Sequence, residues 1–130
     1  MKTKQLLWMG AVLSACCCFM VRRATAMPPQ EPLVRLAELE IDPAQLGAYE
    51  AALKEEIAAS IRLEPGVLKL NAVSVKDHPN QIRMFEMYRD QASYQAHLMA
   101  PHFKRYKTAT QHMVKSLTLI ETEPVLLRER

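Results

Sequence analysis

Apolar and polar residues alternate through the first part of the body of the chain. From Leu33 to Ile41, leucine, valine and isoleucine are interspersed with arginine and glutamate, as in a strand with one buried face. Asp42 followed by Pro43 is typical of a helix start, because aspartate caps free N–H groups and proline suits the first turn. The pattern predicts a strand that ends at Asp42 and a helix that begins at Pro43.

The predicted helix is long and amphipathic. Its apolar residues recur at spacings of three and four, which is the period of one buried helix face. They are Leu46, Tyr49, Leu53, Ile57 and Ile61. The other face is charged, as in a solvated surface, and Glu64-Pro65-Gly66 ends the helix as a turn, because a residue before proline avoids the helical conformation.

The middle of the chain predicts a β-hairpin. Val67–Lys76 and Gln81–Arg89 are both rich in strand-forming residues. Residues 77–80, Asp-His-Pro-Asn, form a turn cluster between them. The two strands should therefore pair in antiparallel fashion.

Two helical pieces and a final strand complete the pattern. Asp90 to Ser93 opens a short helix, and Pro101 begins a second piece after an expected kink. Leu117 to Leu127 alternates as a strand that Pro124 interrupts.

The order β-α-β-β-α-β predicts an α+β, ferredoxin-like fold: a four-stranded antiparallel sheet with helices on one face. A domain of this length has no third layer for the other sheet face. We therefore expect two copies to pack sheet to sheet as a homodimer, a dimeric α+β barrel, with the segment after Pro124 reaching the partner.

The first 26 residues differ from the rest and predict an export leader. Lys2 and Lys4 precede an apolar run, and no acidic residue occurs before Glu31. The run is short for a membrane span, and arginines close it. Residues 27–32 form a proline-rich tether to a domain at 33–127, which we expect to be exported, either periplasmic or anchored as a lipoprotein.

Two cleavage sites compete in this leader, and an uncleaved anchor is a third alternative. Leu13-Ser14-Ala15-Cys16 resembles a lipoprotein box, with lipidation at Cys16, whereas Ala24-Thr25-Ala26 is an Ala-x-Ala site. In each case membrane contact is expected only through the leader or the lipid.

Charge and cysteine content exclude several functions for the mature domain. Cleavage after residue 26 leaves 13 basic against 14 acidic residues, and cleavage before Cys16 leaves 15 against 14. Nucleic-acid binding therefore has no basic surface to support it. All three cysteines precede residue 19, so the body has no disulfide, thiolate metal site or cysteine nucleophile.

Four short motifs resemble one known family. They are Glu64-Pro65-Gly66-Val67, Phe85-Glu86-Met87-Tyr88-Arg89-Asp90, His97 in the following helix, and Pro101-His102-Phe103. Together these motifs resemble the antibiotic biosynthesis monooxygenase domain and, within it, the quinol monooxygenases. The likeness covers the predicted domain from Leu33 to Leu127.

The resemblance implies chemistry without a metal, flavin or haem. In such enzymes an electron-rich dihydroxyaromatic is deprotonated and itself reduces molecular oxygen, which requires an apolar pocket, a base and hydrogen bonds to the anion. His97 is the candidate base, because imidazole titrates near neutral pH. The alternative is a structural histidine whose hydrogen bonds a neighbour satisfies.

Glu86 and Tyr88 are the candidate orienting groups. Being two apart on one strand, they point to the same sheet face, where Glu86 could orient His97 or a substrate hydroxyl and Tyr88 could donate to a carbonyl oxygen. If that face is the helix-covered one, Glu86 belongs to a site; otherwise it lies at the dimer interface.

Further candidate substrate contacts are Asn71, Met84, His102 and Phe103. His102 is expected as a cap-region or pocket-rim group. No metal site is expected, since residues 97 and 102 would occupy different faces of one helix and no carboxylate pair completes a set. The resemblance also disfavours haem degradation, because haem-degrading relatives use a strand tryptophan and the only tryptophan here is Trp8 in the leader.

Two functions follow from these observations. The first is a cofactor-independent monooxygenase that acts on a quinol-like or polyphenolic small molecule. The second is a non-catalytic dimeric module that binds a small molecule or takes part in a stress response. They differ in one observable: in the first, Glu86 and His97 share a cavity.

Overall fold

The computed structural model describes residues 31–128. In chain order its strands and α-helices are β1 (Leu33–Ile41), α1 (Leu46–Leu63), β2 (Val67–Val75), β3 (His78–Tyr88), α2 (Gln91–Met99), α3 (Pro101–Thr110) and β4 (Val114–Glu121). The predicted leader, its Cys16 and residues 27–30 of the tether lie outside the described residues.

One antiparallel sheet contains the four strands in the order β2-β3-β1-β4. Cross-strand neighbours share a face, and Ala37 of β1 lies opposite Met84 of β3 and Leu119 of β4. On the same face, Leu39 and Ile41 pack in one core cluster with Tyr49 and Leu53 of α1. The predicted ferredoxin-like α+β fold, with helices on one face of the sheet, is confirmed.

Two aspartates cap the helices near their predicted starts. The side chain of Asp42 accepts a hydrogen bond from the N–H of Ala44 at 3.0 Å. A single 3-10 turn, Pro43–Gln45, then precedes α1, so the α-helix begins three residues after the predicted start. Asp90 caps α2 in the same way, accepting from the N–H of Ser93 at 2.7 Å.

The hairpin turn is tighter than predicted. β2 ends at Val75 and β3 begins at His78, so Lys76 and Asp77 alone connect the strands, and the predicted boundary at Gln81 was wrong. Asp77 has φ of 66°, a left-handed conformation that aspartate tolerates better than most residues. β4 also lies earlier than predicted, from Val114 to Glu121.

A break at Ala100 divides the second helical segment, as the expected kink at Pro101 indicated. Ala100 has extended backbone, with φ −61° and ψ 135°, because the following proline disfavours the helical conformation. The break separates α2 from α3 and changes the direction of the chain between them.

The face of the sheet opposite the helices carries exposed apolar side chains. Leu36 of β1 lies opposite Phe85 of β3 and Ile120 of β4, and Leu36 and Ile120 keep 36% and 37% of their surface exposed. Residues 125–127, Val-Leu-Leu, are also exposed. No helix between residues 31 and 128 is long and apolar enough to cross a membrane.

Candidate active site

A mostly apolar pocket of about 190 Å³ lies between the helices and the sheet. Aliphatic residues of β1, α1, β2 and β4 form much of its wall, together with Met84 and Phe103. The polar groups around it are Glu56, Glu86, Tyr88, Tyr94, His97, Tyr106 and Lys107. An apolar cavity with a few polar groups is the usual form of a small-molecule site.

His97 lies on α2 and lines this pocket, as predicted for the base. Its side chain is almost fully buried, and its Nδ1 lies 2.9 Å from Oε1 of Glu64, the residue that ends α1. The rings of Phe103 and Tyr88 pack against the imidazole, with centroids at 4.4 and 5.4 Å. Side chains from three elements therefore fix the orientation of this ring.

The partner of Nδ1 determines which nitrogen of His97 can accept a proton. A carboxylate oxygen accepts hydrogen bonds, so Nδ1 carries the hydrogen of the neutral ring and Nε2 carries the lone pair. The sequence offered Glu86 as the group that orients either His97 or a substrate hydroxyl, and the structure places Glu64, not Glu86, on Nδ1 of His97.

Glu86 lies on the helix-covered face, which resolves the alternative left open by the sequence. It pairs with Arg35 of β1, which is two residues from Ala37 and therefore on the same face of the sheet; Ala37 packs in the core beneath the helices. Glu86 also lines the pocket. Burial raises the pKa of the Glu86 carboxyl, while the hydrogen bond from Tyr88 and the nearby His97 and Arg35 oppose that shift.

Tyr88 is fully buried, and its hydroxyl donates to Oε2 of Glu86 at 3.0 Å. The predicted donation from Tyr88 to a substrate carbonyl is therefore not what the structure contains, because its hydrogen is already bonded. Burial and the adjacent Glu86 carboxylate both raise the pKa of Tyr88, so its hydroxyl stays protonated. Its ring also packs edge to face on Tyr94 at 5.1 Å.

Of the other predicted contacts, Met84 and Phe103 line the pocket and Asn71 does not. Asn71 is exposed on the edge strand β2, opposite Phe85, whose row lies on the helix-free face. The structure thus separates it from the other candidates.

His102 lies in the first turn of α3, near the helix start as expected, but it is not at the rim of the pocket. It is buried, with Nε2 at 2.8 Å from Oε1 of Glu64 and 3.3 Å from Oγ of Ser60. Residues 97 and 102 would diverge on one continuous helix, but the break at Ala100 turns α3 so that both imidazoles meet the same carboxylate oxygen. The spacing argument against a shared site was therefore wrong.

A second buried carboxylate, Glu56 of α1, completes this cluster. Oγ of Ser60 donates to Oε1 of Glu56 at 2.8 Å, and Nε2 of His102 lies 3.8 Å from the same oxygen. Oε2 of Glu56 is buried without a hydrogen-bond partner. One ligand atom from each of Glu56, Glu64, His97 and His102 lies within 4.8 Å of the others, so these residues could hold a metal ion.

Neither Glu56 nor Glu64 was identified as a site residue from the sequence, although both left a signal. Glu56 and Ser60 are four residues apart, directly beside Leu53 and Ile57 of the apolar stripe, so one polar pair shares the inward face of α1. Glu64 belongs to the Glu-Pro-Gly turn, which served only as a family motif.

Comparisons with known proteins agree with this fold. The family profile of the antibiotic biosynthesis monooxygenases matches residues 32–109, more than half of the chain. No curated protein matches the chain.

Solved structures give the same result. A protein from Bacteroides thetaiotaomicron named for this family is 46% identical with a TM-score of 0.76, and all of it aligns with 79% of this chain. A protein from Lactobacillus acidophilus named as a monooxygenase is 31% identical with a TM-score of 0.67; the match covers 68% of this chain and 42% of that one.

A more distant protein from Pseudomonas aeruginosa shows the likeness of fold alone, at 22% identity and a TM-score of 0.71 over 77% of this chain and 100% of its own. The profile match and the Bacteroides relative carry the assignment. This chain belongs to the antibiotic biosynthesis monooxygenase family.

Proposed function

We propose that this protein is a cofactor-independent monooxygenase that acts on a quinol-like or polyphenolic small molecule. The observation that carries the proposal is His97 on the wall of an apolar pocket, with Nδ1 held by Glu64 at 2.9 Å. This arrangement leaves Nε2 as a base whose charged form has a carboxylate beside it. Membership of a monooxygenase family supports the same reaction type.

The chemistry begins with transfer of a phenolic proton to Nε2 of His97. The Glu64 carboxylate stabilises the imidazolium that forms, and the phenolate donates electrons to molecular oxygen. One oxygen atom then bonds to a ring carbon and the other leaves as water, so a hydroquinone is oxidised to a hydroxyquinone. Glu86, on the facing strand, is positioned to accept a hydrogen bond from the second substrate hydroxyl.

The size and polarity of the pocket support a substrate with one aromatic ring. Its volume of about 190 Å³ exceeds the roughly 150 Å³ of an apolar cavity that accommodates benzene. Leu39, Leu70 and Phe103 supply apolar contacts for a ring and for dioxygen.

Oxygen uptake with a panel of hydroquinones tests the proposal. We expect uptake by the wild-type protein and its loss in His97→Gln and His97→Ala, since neither side chain can act as the base. His97→Gln keeps an N–H that can donate to Glu64, so it should melt within a few degrees of wild type. The matched control is His112→Ala, at an exposed histidine, which should stay active. Undiminished uptake in both His97 variants would refute the assignment.

The alternative is a module that binds such molecules without turnover. Glu86 and His97 line the same pocket, and this shared cavity favours the catalytic proposal. Hydroquinone binding by calorimetry, without oxygen uptake in either buffer or cell extract, would establish the alternative.

We also propose a homodimer formed through the helix-free face. Leu36, Val73 and Ile120 are exposed there, and a monomer would leave this apolar surface in water. Sedimentation of residues 27–130 should give a dimer at tens of micromolar, and deletion from Pro124 onward should weaken it. A monomer at that concentration would exclude the dimer.

Export is the remaining part of the proposal, with Cys16 as the lipidation site. Intact-mass measurement of the protein from both the membrane fraction and the soluble fraction of native cells separates the alternatives. A lipidated N-terminus at Cys16 supports the lipoprotein, whereas a mature start at Met27 supports cleavage after Ala26.

A further inference from the structure

The cluster behind the pocket has the composition and spacing of a metal site. Oε1 of Glu64 lies 2.9 Å from Nδ1 of His97 and 2.8 Å from Nε2 of His102. Nε2 of His102 is 3.8 Å from Oε1 of Glu56. Metal–ligand bonds of about 2.0–2.1 Å in a tetrahedral site place ligand atoms roughly 3.3 Å apart. The three separations above lie on both sides of this value, and all four ligand atoms lie within 4.8 Å of one another.

The charges of the cluster point to a missing cation. Glu56 and Glu64 lie side by side with little exposure, and the ion-pair partners shown for them in the described part of the chain are histidines. Glu56 is 5% exposed, and its Oε2 is buried with no partner. A buried carboxylate with an unpartnered oxygen is costly, and a divalent cation bound by the Glu56 carboxylate would stabilise its negative charge.

From this geometry we propose that Glu56, Glu64, His97 and His102 bind one divalent first-row cation of the Zn²⁺ type. Two imidazole nitrogens and two carboxylate oxygens suit Zn²⁺, Co²⁺ or Ni²⁺, whereas Mg²⁺ and Ca²⁺ prefer ligands that are all oxygen. Glu56 and His102 also line an open groove between α1 and α3, which gives the ion a path from solvent.

Metal binding alters the proposed chemistry, and this part rests on the proposed function. Nδ1 of His97 is the ligand atom, and a metal there displaces its hydrogen bond to Glu64. Coordination through Nδ1 leaves the hydrogen of the neutral ring on Nε2, so the nitrogen that faces a substrate becomes a donor. The metal-loaded protein is therefore an inactive form of the oxygenase.

Calorimetric titration of untagged, metal-stripped residues 27–130 tests the site. This part includes all the described residues, 31–128, and contains no cysteine that could bind zinc. We expect one Zn²⁺ per chain, no response to Mg²⁺, and ligand-field absorption of a tetrahedral site with Co²⁺. Glu56→Gln and His102→Gln should each weaken Zn²⁺ binding by about tenfold or more, while Glu55→Gln and His112→Ala, at exposed positions, should not.

Circular dichroism and thermal melting of each variant show whether it is folded. If one of the two ligand variants is unfolded, the other still tests the site. Zn²⁺ binding that survives in both folded variants, or its absence in wild type, overturns the site. The binding result stands whether or not the protein consumes oxygen. If it does, stoichiometric Zn²⁺ should abolish uptake and chelation should restore it; full activity of the loaded protein would overturn the inhibitory role alone.

Discussion

Replacement of Glu64 by Gln tests whether this residue acts through His97. Oε1 of Glu64 accepts from Nδ1 of His97 at 2.9 Å and from Nε2 of His102 at 2.8 Å. Gln keeps the size of the side chain and an acceptor oxygen but removes the negative charge. The change therefore isolates the charge that stabilises the imidazolium formed when His97 takes a proton.

The magnitude follows from the hydrogen bond to a charged group. Such bonds contribute about 1.5–3 kcal/mol and neutral ones about 0.5–1.5 kcal/mol, so the charge alone contributes roughly 1–1.5 kcal/mol, and each 1.4 kcal/mol corresponds to about tenfold in rate. We expect Glu64→Gln to lower kcat for oxygen uptake by roughly 5- to 12-fold. KM should change by less than about threefold, because Glu64 is absent from the pocket wall and makes no direct contact with a substrate there.

The assay is steady-state oxygen consumption with saturating hydroquinone, with melting temperature measured on the same samples. A kcat within about twofold of wild type in a folded variant would refute the positioning role. A rise in KM with unchanged kcat would instead assign Glu64 to substrate binding. Glu55→Gln, an exposed residue of α1, is the control for loss of one negative charge.

Three further predictions concern stability. Gly66→Ala should lower the melting temperature, because a Cβ at this position would overlap the side chain of Ser93 on α2. Adding Ser93→Gly to this variant should restore part of the lost melting temperature. An unchanged melting temperature in Gly66→Ala would contradict the close packing of Gly66 on Ser93. Tyr49→Phe should lower the free energy of unfolding, measured with urea, by about 1–2 kcal/mol, because the Tyr106 hydroxyl 2.6 Å away loses its hydrogen-bond partner. The double variant with Tyr106→Phe should lose less than the sum of the losses in the two single variants. Burial raises the pKa of Glu86, so the folded protein favours the protonated form of this residue. The free energy of unfolding therefore falls as the pH rises from the pKa of Glu86 in the unfolded chain through its higher pKa in the folded protein. Glu86→Gln should therefore gain melting temperature over wild type between pH 4 and pH 8, and a difference that does not depend on pH would contradict it.

The fold could be predicted because local signals and periodicity agree along this chain. Asp42 and Asp90 cap helices within a few residues of their predicted starts, since capping depends on neighbouring residues alone. The start of β3 was missed because its pairing with β2 reaches back to His78, before Pro79, a residue of low strand propensity. The bounds of β4 were missed because its pairing with β1 runs from Val114 to Glu121 and no further.

The site could be predicted only in part. His97 and Glu86 were identified because they belong to the motifs of the family resemblance and have suitable side chains, and the structure brings both to one pocket. The role of Glu64 depends on the approach of residues 33 and 38 positions away, and no local pattern encodes that approach. His102 was misplaced because helical spacing assumes an unbroken helix, whereas one extended residue at Ala100 redirects α3.

The carboxylate of Glu64 also acts as a crosslink in a domain that has no cysteine after residue 18. By bonding His97 and His102 it closes loops of 33 and 38 residues and ties the end of α1 to α2 and α3. A disulfide across such loops would restrict the unfolded chain permanently, but this link exists only in the folded state. The three helices are therefore joined by hydrogen bonds to one oxygen atom, Oε1 of Glu64, and any change in its partners changes how they are joined.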